Sequence, residues 1–359
     1  MYGFGAFLRR TVCCALLFCM LMTAASALPS VSADSAALYN ASTGEFIFEK
    51  NADERRGMAS TTKIMTALVA LRHGDPDAEV TVSAKAVGVE GSSLYLKAGE
   101  KMTLRDLLYG LMLQSANDAA EAIAIAVAGS VEGFVALMNE EATALGLKNT
   151  HFTNPHGLAD DAHYTTAREL ALIAAQAMKD PLFCEICASQ RAAIPNGGDG
   201  KRYLVNHNKL LFTYDGAVGV KTGFTKATGR CLVSAAERDG VELIAVTLRA
   251  PDDWRDHAAM LDCGFAEYER VSLANTGEVS YTLPLLGGEC GSVMLYNPAP
   301  VSAVLKKNRG SIVERIEFNR PRFAPVYEQD VLGRVVWTVD GVEIASSPLV
   351  AERYVGRAK

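Results

Sequence analysis

Histidine is scarce in this chain, with six in 359 residues, and tryptophan is scarcer, with two. The histidines (His73, His151, His156, His163, His207, His257) form no HExxH pair or other common ligand spacing. That argues against a metal-dependent hydrolase and leaves no metal site to assign. Basic residues are not in excess: 35 lysines and arginines face 41 acids, for a formal net charge of -6. A general nucleic-acid binder usually carries a basic face, so nucleic acid is excluded as a partner. Internal repeats and low-complexity tracts are missing. Beyond the first two dozen residues there is no apolar run near the roughly 20 residues a bilayer span needs. With 49% hydrophobic residues the chain is not disordered, and its length predicts two domains, each with its own core.

Residues 1–27 read as a secretory signal, which predicts export across the cytoplasmic membrane. Arg9 and Arg10 give a positive start, Thr11 to Met22 carries no charge, and Ala25-Ser26-Ala27 is a small-x-small cleavage site. Cleavage after Ala27 removes two arginines and no acid, so the charge deepens from -6 to -8. It also removes Cys13, Cys14 and Cys19, leaving Cys184, Cys187, Cys231, Cys263 and Cys290 of the original eight. An odd number cannot all pair within one chain. Cys184 and Cys187 have CxxC spacing, but no second CxxC or neighbouring histidine accompanies them, and packing is the favoured reading.

The remainder reads as an α+β layout. Ala36 to Glu49 alternates around Thr43-Gly44, a hairpin pattern. Helix patterns start at Ser60, at Thr103 with Asp106 completing a capping box, at Asn117, at Val131 and at Tyr164. A helical reading extends over Ala167 to Ala188. Strands are expected over Ala217–Lys221, Arg230–Ala236 and Val241–Arg249, followed by a helix from Trp254 to Tyr268. Past Asn275 the texture changes to short strand-like runs over 279–283, 292–296, 312–318 and 334–339, with Asp340-Gly341 as a hairpin turn. A first domain is placed at 30–270 and a small all-β domain at 278–359. The C-terminal Glu352 to Lys359 is polar, and membrane or wall association is not evident from it.

Three short motifs carry chemistry. Ser60-Thr61-Thr62-Lys63 sets a hydroxyl and an amine one helical turn apart, where a neutral lysine can take the serine proton. Neutrality requires burial or a nearby cation. Ser115-Ala116-Asn117 lies between two helices and offers a second hydroxyl and an amide; alone it is an N-cap. Lys221-Thr222-Gly223 offers a cation, a hydroxyl and a small residue; alone it is a strand end.

In this order the three match the penicillin-recognising active-serine enzymes. The surroundings sharpen the likeness: Met58 to Leu68, Gly91-Ser92-Ser93, Leu113 to Ala120, Asn154-Pro155-His156-Gly157-Leu158 and Val220 to Thr225. Over about residues 35–270 the chain resembles the D-alanyl-D-alanine carboxypeptidases, the low-molecular-mass penicillin-binding proteins. The resemblance implies a β-lactamase/transpeptidase-like domain, an antiparallel sheet with helices, and a small C-terminal β domain. It implies a serine-type D-Ala-D-Ala carboxypeptidase acting on peptidoglycan stem pentapeptides, with β-lactams as covalent inhibitors and no cofactor.

Carried onto this sequence, Ser60 is the nucleophile and Lys63 its general base. Lys221 supplies charge that helps keep Lys63 neutral and anchors the substrate carboxylate, with Thr222 hydrogen-bonding it. Ser115 passes a proton to the departing D-alanine, and Asn117 orients Lys63 and the substrate amide. Gly223 leaves room for the substrate backbone, and the N–H groups of Ser60 and Phe224 form the oxyanion hole. Phe224 replaces a histidine found after KTG in some relatives, and His207 stands where relatives can carry arginine. Alternatives within the same machinery are a DD-endopeptidase and a class A-like β-lactamase, for which Glu169 is the nearest deacylating carboxylate. A non-catalytic wall-binding or penicillin-sensing protein is the alternative of another class.

Overall fold

The computed structural model describes residues 29–318 and 322–359. The expected signal segment lies outside the described residues. Strands β1 (Ser35–Asn40) and β2 (Glu45–Lys50) form the expected hairpin, with Gly44 at φ +79° and Asn40 Oδ1 accepting from the Ser42 and Thr43 N–H groups. A 3-10 turn over Ala59–Thr62 then leads into helix α1 (Lys63–His73). Every residue of α1 from Lys63 to Ala70 is buried, so this is a core helix enclosed on all sides. A small ribbon of β3 (Glu79–Thr81) and β4 (Lys101–Thr103) brackets the loop between them.

Helices α2 (Leu104–Leu113), α3 (Asn117–Ala128) and α4 (Val131–Ala144) follow. Thr103 and Asp106 make the capping box read from the sequence, and Gly129 ends α3 at φ +77°. The single helix expected over Ala167–Ala188 is instead two, α5 (Ala167–Ala177) and α6 (Pro181–Ala188). Pro181 has no N–H to continue α5, and Asp180 caps the new start through the Leu182 and Phe183 N–H groups.

A hairpin of β5 (Arg191–Pro195) and β6 (Lys201–Val205) and the short α7 (Leu210–Thr213) precede β7 (Ala217–Thr225), β8 (Gly229–Arg238) and β9 (Val241–Leu248). The main sheet is antiparallel in the order β2-β1-β9-β8-β7. Helix α8 (Asp253–Glu267) covers one face; Met260 and Leu261 pack there with Ala36, Leu38 and Leu243. The other face meets α1, α5 and α6, with α2 to α4 completing the same core, and Ala37, between Ala36 and Leu38, points into it. Both faces of β1 are thus apolar, as a sheet covered on both sides requires. KTG does not end its strand: β7 runs on to Thr225 and forms the open edge of the sheet.

The second unit has its own core, which includes Val293, Leu295, Val335, Trp337 and Leu349. Its strands are β10 (Tyr268–Ala274), β11 (Ser280–Leu286), β12 (Ser292–Tyr296), β13 (Val301–Lys306), β14 (Ile312–Phe318), β15 (Arg322–Phe323), β16 (Val331–Val339) and β17 (Val342–Ala351). Six form a sheet in the order β14-β16-β17-β12-β11-β15, and β10 pairs with β13. Asp340 (φ +49°) and Gly341 (φ +80°) make the β16–β17 turn, with two left-handed residues as a type I′ hairpin needs. β10, β13 and β17 were not foreseen. Their apolar residues are interrupted by Ser, Glu and Pro, which hides the period-2 pattern. Among the described residues no single helix is long and apolar enough to cross a membrane.

Candidate active site

Ser60 sits in the 3-10 turn and Lys63 is the first residue of α1, so the α-helix starts at the lysine rather than the serine. Lys63 is fully buried. Its Nζ lies 3.0 Å from Ser60 Oγ, 2.7 Å from Asn117 Oδ1 and 2.6 Å from the His156 carbonyl oxygen. A neutral amine has two protons and one lone pair. Asn117 Oδ1 and the His156 carbonyl can only accept, so they take the two protons and the lone pair faces Ser60 Oγ. The amine is held well below the ordinary lysine range, first by burial and then by the Lys221 charge, against the opposing pull of Asp118.

The turn that presents Ser60 is fixed from behind. His163 Nδ1 accepts from the Thr153 N–H at 3.0 Å, so its Nε2–H donates to Thr62 Oγ1 at 2.7 Å. Thr62 Oγ1 in turn donates to the Ala59 carbonyl at 2.8 Å. Burial holds His163 down at about 4, which keeps the ring neutral for this role. Ala59 has φ +49°, and Gly157 lies so close that a Cβ there would stand 1.9 Å from the Ala59 oxygen. The Ser60 N–H donates to no protein acceptor among the described residues. It faces Gly223, where a Cβ would come within 3.0 Å of the Ser60 nitrogen.

Ser115 and Asn117 come from the α2–α3 junction. Ser115 is buried at φ +58°, an uncommon conformation for a residue with a Cβ. Asn117 does not cap α3; Ala116 holds that position. Besides accepting from Lys63, Asn117 donates through Nδ2 to the Glu90 carbonyl at 2.5 Å and through its N–H to the Ser92 carbonyl at 2.7 Å. On β7, Lys221 is buried and has no carboxylate partner among the described residues; its Nζ donates to the Thr222 carbonyl at 2.9 Å. Burial pushes it down to about 7. Lys221 thus helps to keep Lys63 neutral, as expected, but it acts second to burial and is itself only partly charged near neutrality. Thr222 is half-buried and the Phe224 ring is exposed on the rim.

Residues 22–252 match the D-alanyl-D-alanine carboxypeptidase family (peptidase S11), and residues 268–357 match the C-terminal domain of penicillin-binding protein 5. The chain belongs to the D-alanyl-D-alanine carboxypeptidase family. It is 33% identical over 336 residues to D-alanyl-D-alanine carboxypeptidase DacF of Bacillus subtilis, covering 91% of this chain and 86% of the relative. It is 33% identical over 341 residues to D-alanyl-D-alanine carboxypeptidase DacA of Escherichia coli, covering 90% and 83%. The solved structure of penicillin-binding protein 5 from Haemophilus influenzae superposes with a TM-score of 0.68 at 29% identity, covering 92% of this chain and 99% of that one.

Within this family framework, several residues read from the sequence stand apart from the Ser60 cluster. Glu169 does not face Ser60. Its carboxylate accepts from the Lys148 and Asn149 N–H groups at 2.9 and 3.0 Å and from Thr150 Oγ1 at 2.6 Å. A carboxylate so occupied is a structural clasp, and the lactamase alternative loses its deacylating base. His207 lies on the rim; partial loss of solvent, then the Lys221 charge, push it below the ordinary range. Cys184, Cys187, Cys231, Cys263 and Cys290 are all free thiols, and among the described residues no group of three His, Cys, Asp or Glu is placed to hold a metal. A cavity of about 850 Å³, lined in part by Ser42, Tyr268, Arg270 and Lys306, contains none of the motif residues; reactive groups mark the site, not volume.

Reasoning from residue types missed three contributors. The His156 carbonyl acts through the backbone, which leaves no trace in residue identity. Gly157 was noticed only as part of a family stretch; its φ of +90° and its closeness to Ala59 give the reason for glycine. Asp118 was also quoted only within such a stretch. It is buried and accepts from the Leu94 and Leu96 N–H groups, both at 3.0 Å, and from Ser93 Oγ at 2.6 Å.

Proposed function

We propose that this chain is a serine-type D-Ala-D-Ala carboxypeptidase that removes the terminal D-alanine from peptidoglycan stem pentapeptides through an acyl-enzyme on Ser60. The observation that carries the mechanism is the set of three neighbours of the Lys63 amine, which directs its lone pair at Ser60 Oγ. Ser60 Oγ attacks the carbonyl of the penultimate D-alanine while Lys63 takes its proton. The oxyanion is received by the N–H groups of Ser60 and Phe224, and Gly223 leaves that space open. The C–N bond then breaks, and the departing D-alanine amine receives a proton relayed through Ser115 from Lys63. Water, deprotonated by Lys63, releases the shortened peptide. The buried Lys221, without a carboxylate partner among the described residues, and the Thr222 hydroxyl receive the terminal carboxylate, which supplies the missing counter-charge. A β-lactam is opened by the same attack, but its leaving amine stays tethered, which favours a persistent acyl-enzyme.

The division into a catalytic unit over 30–270 and a β-rich unit over 278–359 is supported by separate cores, and the pairing of β10 with β13 draws the junction we propose nearer to 268. Export across the cytoplasmic membrane is part of this proposal and is supported by the N-terminal sequence. Labelled penicillin should attach covalently, and Ser60→Ala should abolish attachment; persistent labelling would refute the nucleophile. Lys63→Ala should slow acylation strongly while substrate still binds. Product analysis separates the activities: D-alanine released from a pentapeptide stem supports the carboxypeptidase, whereas cleavage confined to a cross-linked dimer supports a DD-endopeptidase.

A further inference from the structure

The segment from Glu90 to Leu96 is tied to the reactive groups at both ends. Asn117 holds the Glu90 and Ser92 carbonyls, and the neighbouring Asp118 carboxylate binds Ser93 Oγ and the Leu94 and Leu96 N–H groups. Leu94 and Leu96 are buried by this clasp. Tyr95 between them is thrown outward, 83% exposed, at φ +56°. A left-handed tyrosine is intrinsically disfavoured, and an exposed ring recovers nothing from the core. Glycine is the residue this backbone conformation ordinarily favours, yet a tyrosine stands here with its ring in solvent.

The same rim carries a second such ring. Arg202 donates through Nε to the Leu94 carbonyl at 3.0 Å and grips the buried Glu100 carboxylate with both terminal nitrogens. Tyr203, the next residue on β6, is 80% exposed. Two residues further, the Val205 carbonyl accepts from Gln114 Nε2, beside Ser115. Loop and hairpin are therefore stitched together at the residues that flank the two tyrosines, and both are anchored to the motif that carries Ser115 and Asn117.

We propose that Tyr95, with Tyr203 as a second wall, is a specificity-determining residue that receives the side chain of the stem-peptide residue preceding D-Ala-D-Ala. This rests on the carboxypeptidase reading above. The class of side chain it fits is an aliphatic stem ending in an ammonium: the methylenes pack on a flat ring and the cation meets its electron-rich face.

The test compares acetyl-L-Lys-D-Ala-D-Ala with acetyl-L-Ala-D-Ala-D-Ala. Tyr95→Ala should lower kcat/KM on the lysyl peptide about tenfold, leaving the alanyl peptide and the rate of penicillin labelling within about twofold; Tyr95→Phe should retain the preference. Equal loss on both peptides would mean the loop only supports Asn117, and no loss on either would mean no contact; both overturn the proposal. Should neither peptide be hydrolysed, the carboxypeptidase reading fails separately, and competition of each peptide against penicillin labelling still reports on Tyr95. Tyr95→Gly should raise the melting temperature while losing the same preference. A variant no more stable than the parent would overturn the claim that this conformation is held at an intrinsic cost.

Discussion

Lys221→Met should make the protein more stable while disabling it. Lys221 is buried without a counter-charge among the described residues, and burial lowers it from 10.5 to about 7. At about 1.4 kcal/mol per pH unit, that depression corresponds to an upper bound of about 5 kcal/mol, which folding spends to keep the amine away from water at pH 7 or below. Methionine fills similar space without charge. It forfeits the hydrogen bond to the Thr222 carbonyl, worth about 1 kcal/mol, and water reaching the cleft reduces the penalty further. We expect a net gain of about 2–3 kcal/mol near neutrality, or roughly 5–10 °C in the calorimetric transition of the catalytic unit. Lys63 adds to the gain, because the Lys221 charge is one of the causes that lower it. The pH dependence fixes the cause. The folded value lies below the unfolded one, so between about 7 and 10.5 the unfolded chain holds more protons and wild-type stability rises with pH. The variant lacks that rise, and its advantage should be largest at pH 6–7 and close toward pH 10. Calorimetry of both proteins across this range is the assay. A variant less stable at pH 7, or an advantage independent of pH, would refute the reasoning. Loss of penicillin acylation by the same variant would show that the stability is withheld for function.

Asp118→Asn removes the charge that raises Lys63, so the acid limb of the penicillin-acylation profile should move to lower pH; movement to higher pH would contradict the assignment. The same change weakens the clasp on Ser93, Leu94 and Leu96, and urea unfolding should register a loss of about 2 kcal/mol. Gly157→Ala drives a methyl into the Ala59 carbonyl at φ +90°; we expect a loss of about 2–4 kcal/mol and penicillin labelling slowed at least tenfold, and normal labelling kinetics would show that Ala59 does not position Ser60. Stability should fall as pH drops from about 6.5 toward 4, because His163 and His257 are held at about 4 and about 3 and the unfolded chain takes up protons first. His163 alone accounts for about 3 kcal/mol of that fall, and His163→Asn should flatten the acid slope measured by chemical denaturation.

What the sequence made legible was whatever depended on side-chain type at a fixed spacing. The Thr103–Asp106 box and the Asp340-Gly341 turn are local rules and appear as expected. SxxK, SxN and KTG do converge, since Lys63 touches Ser60 and Asn117, and Lys221 is close enough to lower it. Two local expectations failed for local reasons. Pro181 divides a helix that apolar periodicity alone would continue. KTG lies within β7 because the pairing of Thr222 with Leu232 and of Phe224 with Arg230 sustains the strand past the lysine. What stayed illegible is backbone. The acceptors at His156, Ala59, Glu90 and Ser92 are carbonyl oxygens, and every residue has one.

The order of influences on Lys63 bears on catalysis, because the two causes that lower it do not respond alike to substrate. In the empty site Lys221 is partly charged near neutrality. A bound carboxylate stabilises the ammonium, so Lys221 becomes fully charged, but the pair it then forms is close to neutral as seen from Lys63. The electrostatic help from Lys221 is therefore smallest when the base is needed. Burial does not fade in this way: a substrate lying over Ser60 excludes water and deepens it. Burial is thus the cause that persists in the complex, and it depends on Lys63 lying fully buried at the start of α1, with Asn117 Oδ1 and the His156 carbonyl taking two of its protons. A variant that admits water beside Lys63 without touching Lys221 should impair acylation more at low pH than at high pH, whereas one that removes only the Lys221 charge should impair substrate binding before it impairs the base.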